Sequence, residues 1–101
     1  MDTIFDCLAE PHRRRILDLL REGERSAGDL VAAIGISQPG LSKHLRVLRD
    51  AGLVRAAIDG QRRIYSLRPE GLAAVEAWLA PYRRFWADRL DDLDIHLNQE
   101  Q

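Results

Sequence analysis

The sequence has a single cysteine, Cys7, among 101 residues, and only six aromatic side chains. One thiol excludes an internal disulfide framework, and it excludes any zinc module built on two or four cysteines of one chain. No apolar run approaches the roughly 20 residues needed to cross a bilayer, so no membrane partner is expected. The start, Met1-Asp2-Thr3-Ile4-Phe5-Asp6, lacks the basic and apolar regions of a secretory leader, which predicts a reducing, cytoplasmic location. Also missing are a Gly-x-Ser-x-Gly elbow, a phosphate loop and a framed carboxylate pair, and His12, His44 and His96 are far apart in the sequence. No enzyme is readable in that pattern. What remains is a composition of 46% hydrophobic and 31% charged residues, that of one globular domain.

The net charge of −1 conceals an uneven distribution. Residues 36–68 hold seven basic groups against two acidic ones, whereas residues 69–101 hold three against seven. A basic block inside a near-neutral chain suits contact with nucleic acid.

Along the chain, Ile4, Phe5 and Leu8 fall on one side of a short helix over residues 2–9. Pro11 then opens a second helix carrying Ile16, Leu17 and Leu20, which Gly23 stops. The triplet Arg13-Arg14-Arg15 in its first turns reads as a solvated face. Ser26-Ala27-Gly28-Asp29 has the form of a capping box before Leu30, Val31 and Ile34. Gly35 ends that helix, and Ser37 caps the next, which has Pro39 in its first turn and runs to about Ala51. Two capped helices joined by a tight glycine-containing turn make a helix-turn-helix. At 100° per residue the second helix puts Leu41, Leu45 and Leu48 on its core side. Lys43, Arg46 and Asp50 point the other way, with Gln38 and Ser42 on a flank. Such a face suits a duplex major groove.

After Gly52 the period changes. Residues 53–58 and 63–67 are β-prone runs around Asp59-Gly60-Gln61-Arg62, a tight-turn signal that predicts a hairpin over 53–67 carrying Arg62 and Arg63. A hairpin directly after a recognition helix is a wing. From Pro69 to about residue 97 the sequence is helical again, with Leu72, Val75, Leu79, Tyr82, Trp86, Leu90, Leu93 and Leu97 at steps of three and four, widened by Trp78 and Phe85. Pro81 predicts a kink or a break. This stripe exceeds the needs of a DNA-binding head over residues 2–68, so Phe5 and the C-terminal stripe are expected to pack against a second copy. The fold class expected is mainly α with a small β-hairpin wing, a winged helix-turn-helix dimerising through its terminal helices. A protein–protein adaptor on the same fold would carry a neutral or acidic recognition face, and this one is basic. A ligand pocket between the dimer helices, lined by Trp78, Tyr82, Phe85 and Trp86, is the further alternative.

The stretches Leu8 to Leu17, Ser37 to Leu45, Leu48 to Val54 and Gly60 to Tyr65 resemble the ArsR family of small bacterial winged-helix repressors, over about residues 4–97. The resemblance implies a homodimer that binds a pseudo-palindromic operator in double-stranded DNA and represses a promoter, its own included. It implies DNA contacts from Ser37, Gln38, Ser42, Lys43, Arg46, Arg62 and Arg63. The metal ligands of that family are missing at the matching positions: Ser26 and Gly28 stand where one family site has cysteines. Asp94-Ile95-His96 supplies only half of the other. The expectation is therefore no metal and no cofactor, with similarity to the branch that lacks those ligands, to which Tyr82-Arg83-Arg84-Phe85-Trp86 also points. Cys7, on an apolar helix, reads as a buried, inert thiol.

Overall fold

A computed structural model describes residues 2–99, and the side chains of residues 3–92. The elements follow in the order α1 (Asp2–Leu8), α2 (Pro11–Arg21), β1 (Arg25–Ser26), α3 (Ala27–Ile34), α4 (Gln38–Asp50), β2 (Val54–Asp59) and β3 (Arg62–Leu67). A 3₁₀ turn (Pro69–Leu72) then leads into α5 (Ala73–Gln99).

Local chemistry sets most of these boundaries. Glu10 caps α2, its carboxylate accepting from the Arg13 N–H at 3.1 Å, and Pro11 occupies the first turn, where its missing N–H costs nothing. Ser26 and Asp29 form a reciprocal capping box at α3: Ser26 Oγ accepts from Asp29 N at 3.1 Å, and Ser26 N donates to the Asp29 carboxylate at 3.3 Å. Gly35, at φ +79°, closes α3 in the left-handed conformation. Ser37 Oγ accepts from Gly40 N at 3.2 Å to start α4.

The core lies where α2, α3 and α4 meet the sheet. Ile16 and Leu20 of α2, Leu30 of α3, Leu41, Leu45 and Leu48 of α4, Leu53, and Val54 and Tyr65 of the hairpin are all buried. Cys7 of α1 joins them, and burial pushes its thiol pKa up against the opposing pull of Arg13. The thiol is therefore a core packing group with little thiolate character.

The sheet has one strand more than the sequence suggests, in the order β1-β3-β2, antiparallel throughout. β1 is two residues long and pairs Arg25 with Tyr65 and Ser26 with Ile64. Two residues show no alternation, so the strand is invisible to pattern reading. At the hairpin tip Asp59 pairs with Arg62. Gly60 alone has positive φ there, +65°, as in a two-residue turn of the II′ kind with glycine first.

Two other expectations gain detail. Arg14 and Arg15 are exposed, as a solvated face requires, but Arg13 is half-buried. Arg13 Nε donates to Cys7 O at 2.7 Å, and Arg14 Nη1 donates to Leu8 O at 2.8 Å and Ala9 O at 3.1 Å. Two guanidiniums thus satisfy the orphan carbonyls at the end of α1 and favour the negative end of its dipole. The C-terminal helix begins with the 3₁₀ turn at Pro69 and becomes α-helical at Ala73, then passes through Pro81 without breaking.

Candidate nucleic-acid interface

Burial sorts α4 as the helical wheel predicts. Leu41, Leu45 and Leu48 face the core, while Gln38, Ser42, Lys43, Arg46 and Asp50 are exposed. The exposed side therefore presents an amide, a hydroxyl and two cations along one helix. Ser37 is also exposed, but its oxygen is engaged as the cap of α4, which leaves its O–H to donate outward. Arg62 and Arg63 are exposed at the start of β3.

The short strand β1 decides how these parts sit together. By pairing with β3 it fixes the capped start of α3 against the wing. Arg62 Nη2 then lies 3.7 Å from Asp29 Oδ2, the carboxylate of the capping box. An open groove of about 440 Å³ results, lined by Ser26 of β1, Ala27 and Gly28 of α3, Gln38 and Ser42 of α4, and Gln61, Arg62, Arg63 and Tyr65 of the wing. Four of the seven sequence-predicted contact residues, Gln38, Ser42, Arg62 and Arg63, share this groove. Lys43 and Arg46 lie on α4 outside the groove lining.

Hydrogen bonding from Ser26, through its side chain and then its backbone N–H, holds the Asp29 carboxyl below its usual pKa, with Arg62 and Arg25 adding to the effect. A carboxyl whose folded value is lowered stabilises the fold above its unfolded value, and that contribution is lost as pH falls through the folded value. We predict that Asp29→Asn lowers the urea midpoint at pH 7, and that the gap from the parent protein closes as pH drops below about 4. A gap that stayed constant across that range would contradict the assigned charge.

The histidines hold a finding that the sequence hides. His12 and His44, 32 residues apart, bring their rings to a centroid distance of 5.6 Å. Both face Glu10: His12 Nδ1 is 3.1 Å from Oε1, and His44 Nε2 is 3.9 Å from Oε2. Burial pushes the His44 imidazole pKa down, and the nearby Glu10 carboxylate opposes that shift. The pairing depends on how α2 crosses α4, which no local motif encodes.

Of the residues expected to dimerise, Phe5, Leu72, Val75 and Leu79 are half-buried within the chain. Tyr82, Trp86 and Leu90 are 48%, 56% and 60% exposed, with Trp78 and Phe85 beside them at 45% and 52%. Phe5 meets Trp78 edge-on at 5.4 Å between ring centroids, which ties α1 to α5. The side chains of Leu93, Asp94 and His96 lie outside the described residues.

A family model described as "Bacterial regulatory protein, arsR family" matches residues 10–56, the stretch from the α2 cap into β2. Across 88% of its length the chain is 39% identical to the HTH-type transcriptional regulator Rv2034 of Mycobacterium tuberculosis, of which it covers 80%. The chain belongs to the ArsR family. It is a winged helix-turn-helix transcriptional regulator and not an enzyme. A second relative, the transcriptional repressor SdpR of Bacillus subtilis, is 37% identical over 78% of the chain and 88% of that protein. Among solved structures, the homodimeric winged helix-turn-helix DNA-binding domain of Mb0332 from Mycobacterium bovis superimposes with a TM-score of 0.67 at 31% identity. The match covers 82% of this ArsR-family chain and 77% of that one. Among the described residues, no helix is long and apolar enough to cross a membrane.

Proposed function

We propose that this ArsR-family regulator is a cytoplasmic homodimeric repressor that covers a promoter, its own among the targets. The observation that carries the proposal is the exposed basic face of α4 beside the Arg62–Arg63 wing, both mounted on a buried leucine core. Residues 2–68 form the DNA-binding head. Gln38, Ser42, Lys43 and Arg46 enter the major groove, Ser37 donates to a phosphate, and Arg62 and Arg63 follow the backbone or the minor groove. Two such heads reach successive major grooves about 34 Å apart, so the operator half-sites are centred one helical turn apart.

Residues 69–97 supply the dimer contact. The exposed run Trp78, Tyr82, Phe85, Trp86 and Leu90, with Phe5 and the half-buried Leu72, Val75 and Leu79 behind it, is more apolar surface than a small soluble monomer leaves in water. Leu93 extends the same spacing. The homodimeric state named for the Mycobacterium bovis domain and the repressor activity named for SdpR support this reading. Ser26 and Gly28 offer no thiolate, so the regulator belongs with the branch that lacks the family's usual metal ligands.

The test is Arg46→Ala. A cation reading a guanine edge contributes about 1–3 kcal/mol of discrimination. The variant therefore binds its operator more weakly and tolerates base changes at one position of each half-site, as measured by competition with single-base operator variants. Unchanged affinity and preference would remove α4 as the reading helix.

A further inference from the structure

Away from the groove, three metal-ligating side chains meet where the start of α2 touches the middle of α4. Glu10, His12 and His44 each offer a ligand atom, and these atoms lie within 4.8 Å of one another. His12 Nδ1 and His44 Nε2 face the two oxygens of Glu10 at 3.1 and 3.9 Å. Two imidazoles and one carboxylate are the donor set of borderline divalent cations. Bonds of about 2.0–2.2 Å place neighbouring ligand atoms roughly 3.3–3.6 Å apart on a tetrahedron. The widest spacing therefore has to close by roughly 1.2–1.5 Å, a movement open to the exposed His12 ring. The backbone is already set: Glu10 is pinned as the α2 cap, and His44 lies between Lys43 and the buried Leu45.

We propose that Glu10, His12 and His44 form a binding site for one divalent transition-metal ion of the zinc class, with the fourth position open to water. The site is distinct from the positions of the family's usual metal ligands, since Ser26 and Gly28 line the groove and Asp94 and His96 belong to the C-terminal helix. Its ligands come from two elements, so a bound ion fastens the recognition helix to the start of α2. Arg13 completes the surroundings. Its Nη1 lies 3.4 Å from His44 Nδ1, while Nε and Nη2 hold α1 carbonyls. Ligation through Nε2 leaves Nδ1 carrying the ring proton, so its contact with Nη1 is given up; the guanidinium is a rigid plane held at Nε and Nη2, and it is the His44 ring that shifts.

The experiment uses the untagged full chain, stripped with a chelator and titrated with cobalt(II) followed by visible absorption, then with zinc(II) by calorimetry. The expected result is one ion per chain, a ligand-field band that zinc abolishes, and a rise in melting temperature with zinc. His12→Gln, a change at an exposed position, weakens binding by roughly tenfold or more, and circular dichroism confirms that the variant is folded. His96→Gln leaves binding unchanged. The proposal is overturned by the absence of a band and heat, by unaltered affinity in His12→Gln, or by loss of binding in His96→Gln, which would put the ion on the C-terminal helix.

Discussion

Operator affinity falls by on the order of 10³–10⁵ between 50 and 200 mM salt, because cations held on one face release the counterions condensed on DNA. Lys43, Arg46, Arg62 and Arg63 are all exposed, and two copies in a dimer bring eight such charges. Counting each cation on the duplex, in the groove or on the backbone, as one phosphate charge neutralised, at about 0.9 counterions released each, a plot of log affinity against log salt has a slope near −7. The net charge of −1 for the whole chain does not weaken this expectation, because residues 36–68, which hold the recognition helix and the wing, carry +5, and the acidic excess is split between residues 1–35 at −2 and 69–101 at −4. Arg62 contributes less than its share if it keeps its Asp29 partner on DNA, but that pair is exposed on both sides and is worth little in water. Replacing Arg62 and Arg63 together by alanine removes four contacts per dimer, so the slope flattens to about −3.5. A parent slope shallower than about −2 would mean that the basic face does not lie on the phosphates.

The largest effect on stability is expected from a residue with no chemistry of its own. Gly71, in the 3₁₀ turn before α5, passes directly over the loop that leaves α4. A Cβ at this position would overlap the carbonyl oxygen of Gly52 and come within 3.1 Å of Leu53 Cα. Both obstacles are backbone, and the loop is held by Arg68 N donating to Leu53 O at 2.9 Å and by Leu53 N donating to Leu48 O at 3.0 Å. No flexible side chain can give way. Gly71→Ala therefore costs about 3 kcal/mol, the upper end of ordinary overpacking. For a domain of this size that lowers the melting temperature by roughly 10–20 °C at fixed protein concentration. A shift under about 2 °C would show that the turn and loop separate easily.

The parts of this protein that were legible in its sequence are those encoded within one turn of chain. Ser26-x-x-Asp29, Gly35 and Ser37 announce the helix ends because each cap is a local hydrogen bond, and all are found. The leucine spacing of α4 divides its faces because a helix has a fixed period. The wing follows from a change of period around Asp59-Gly60. What escaped depends on contacts between distant segments. β1 is too short for any pattern and exists only because β3 passes beside residues 25 and 26. Arg13 and Arg14 also bond the carbonyls at the end of α1, contacts that no local motif encodes. Glu10, His12 and His44 meet only because α2 crosses α4 at that level. The Gly71 contact is equally remote, since a glycine that must be small for a neighbour's backbone looks like any other glycine. Of the kink or break that Pro81 predicts, the break is absent, and α5 continues on both sides.

The most direct test of the central claim is a fluorescence-anisotropy titration of the protein against the duplex upstream of its own gene. A scrambled duplex of equal length serves as the control, at low and at physiological salt. Tight binding to the native duplex alone, saturating at two chains per site, is the predicted result. No binding to either duplex at either salt concentration would contradict it and leave the basic face of α4 without its partner.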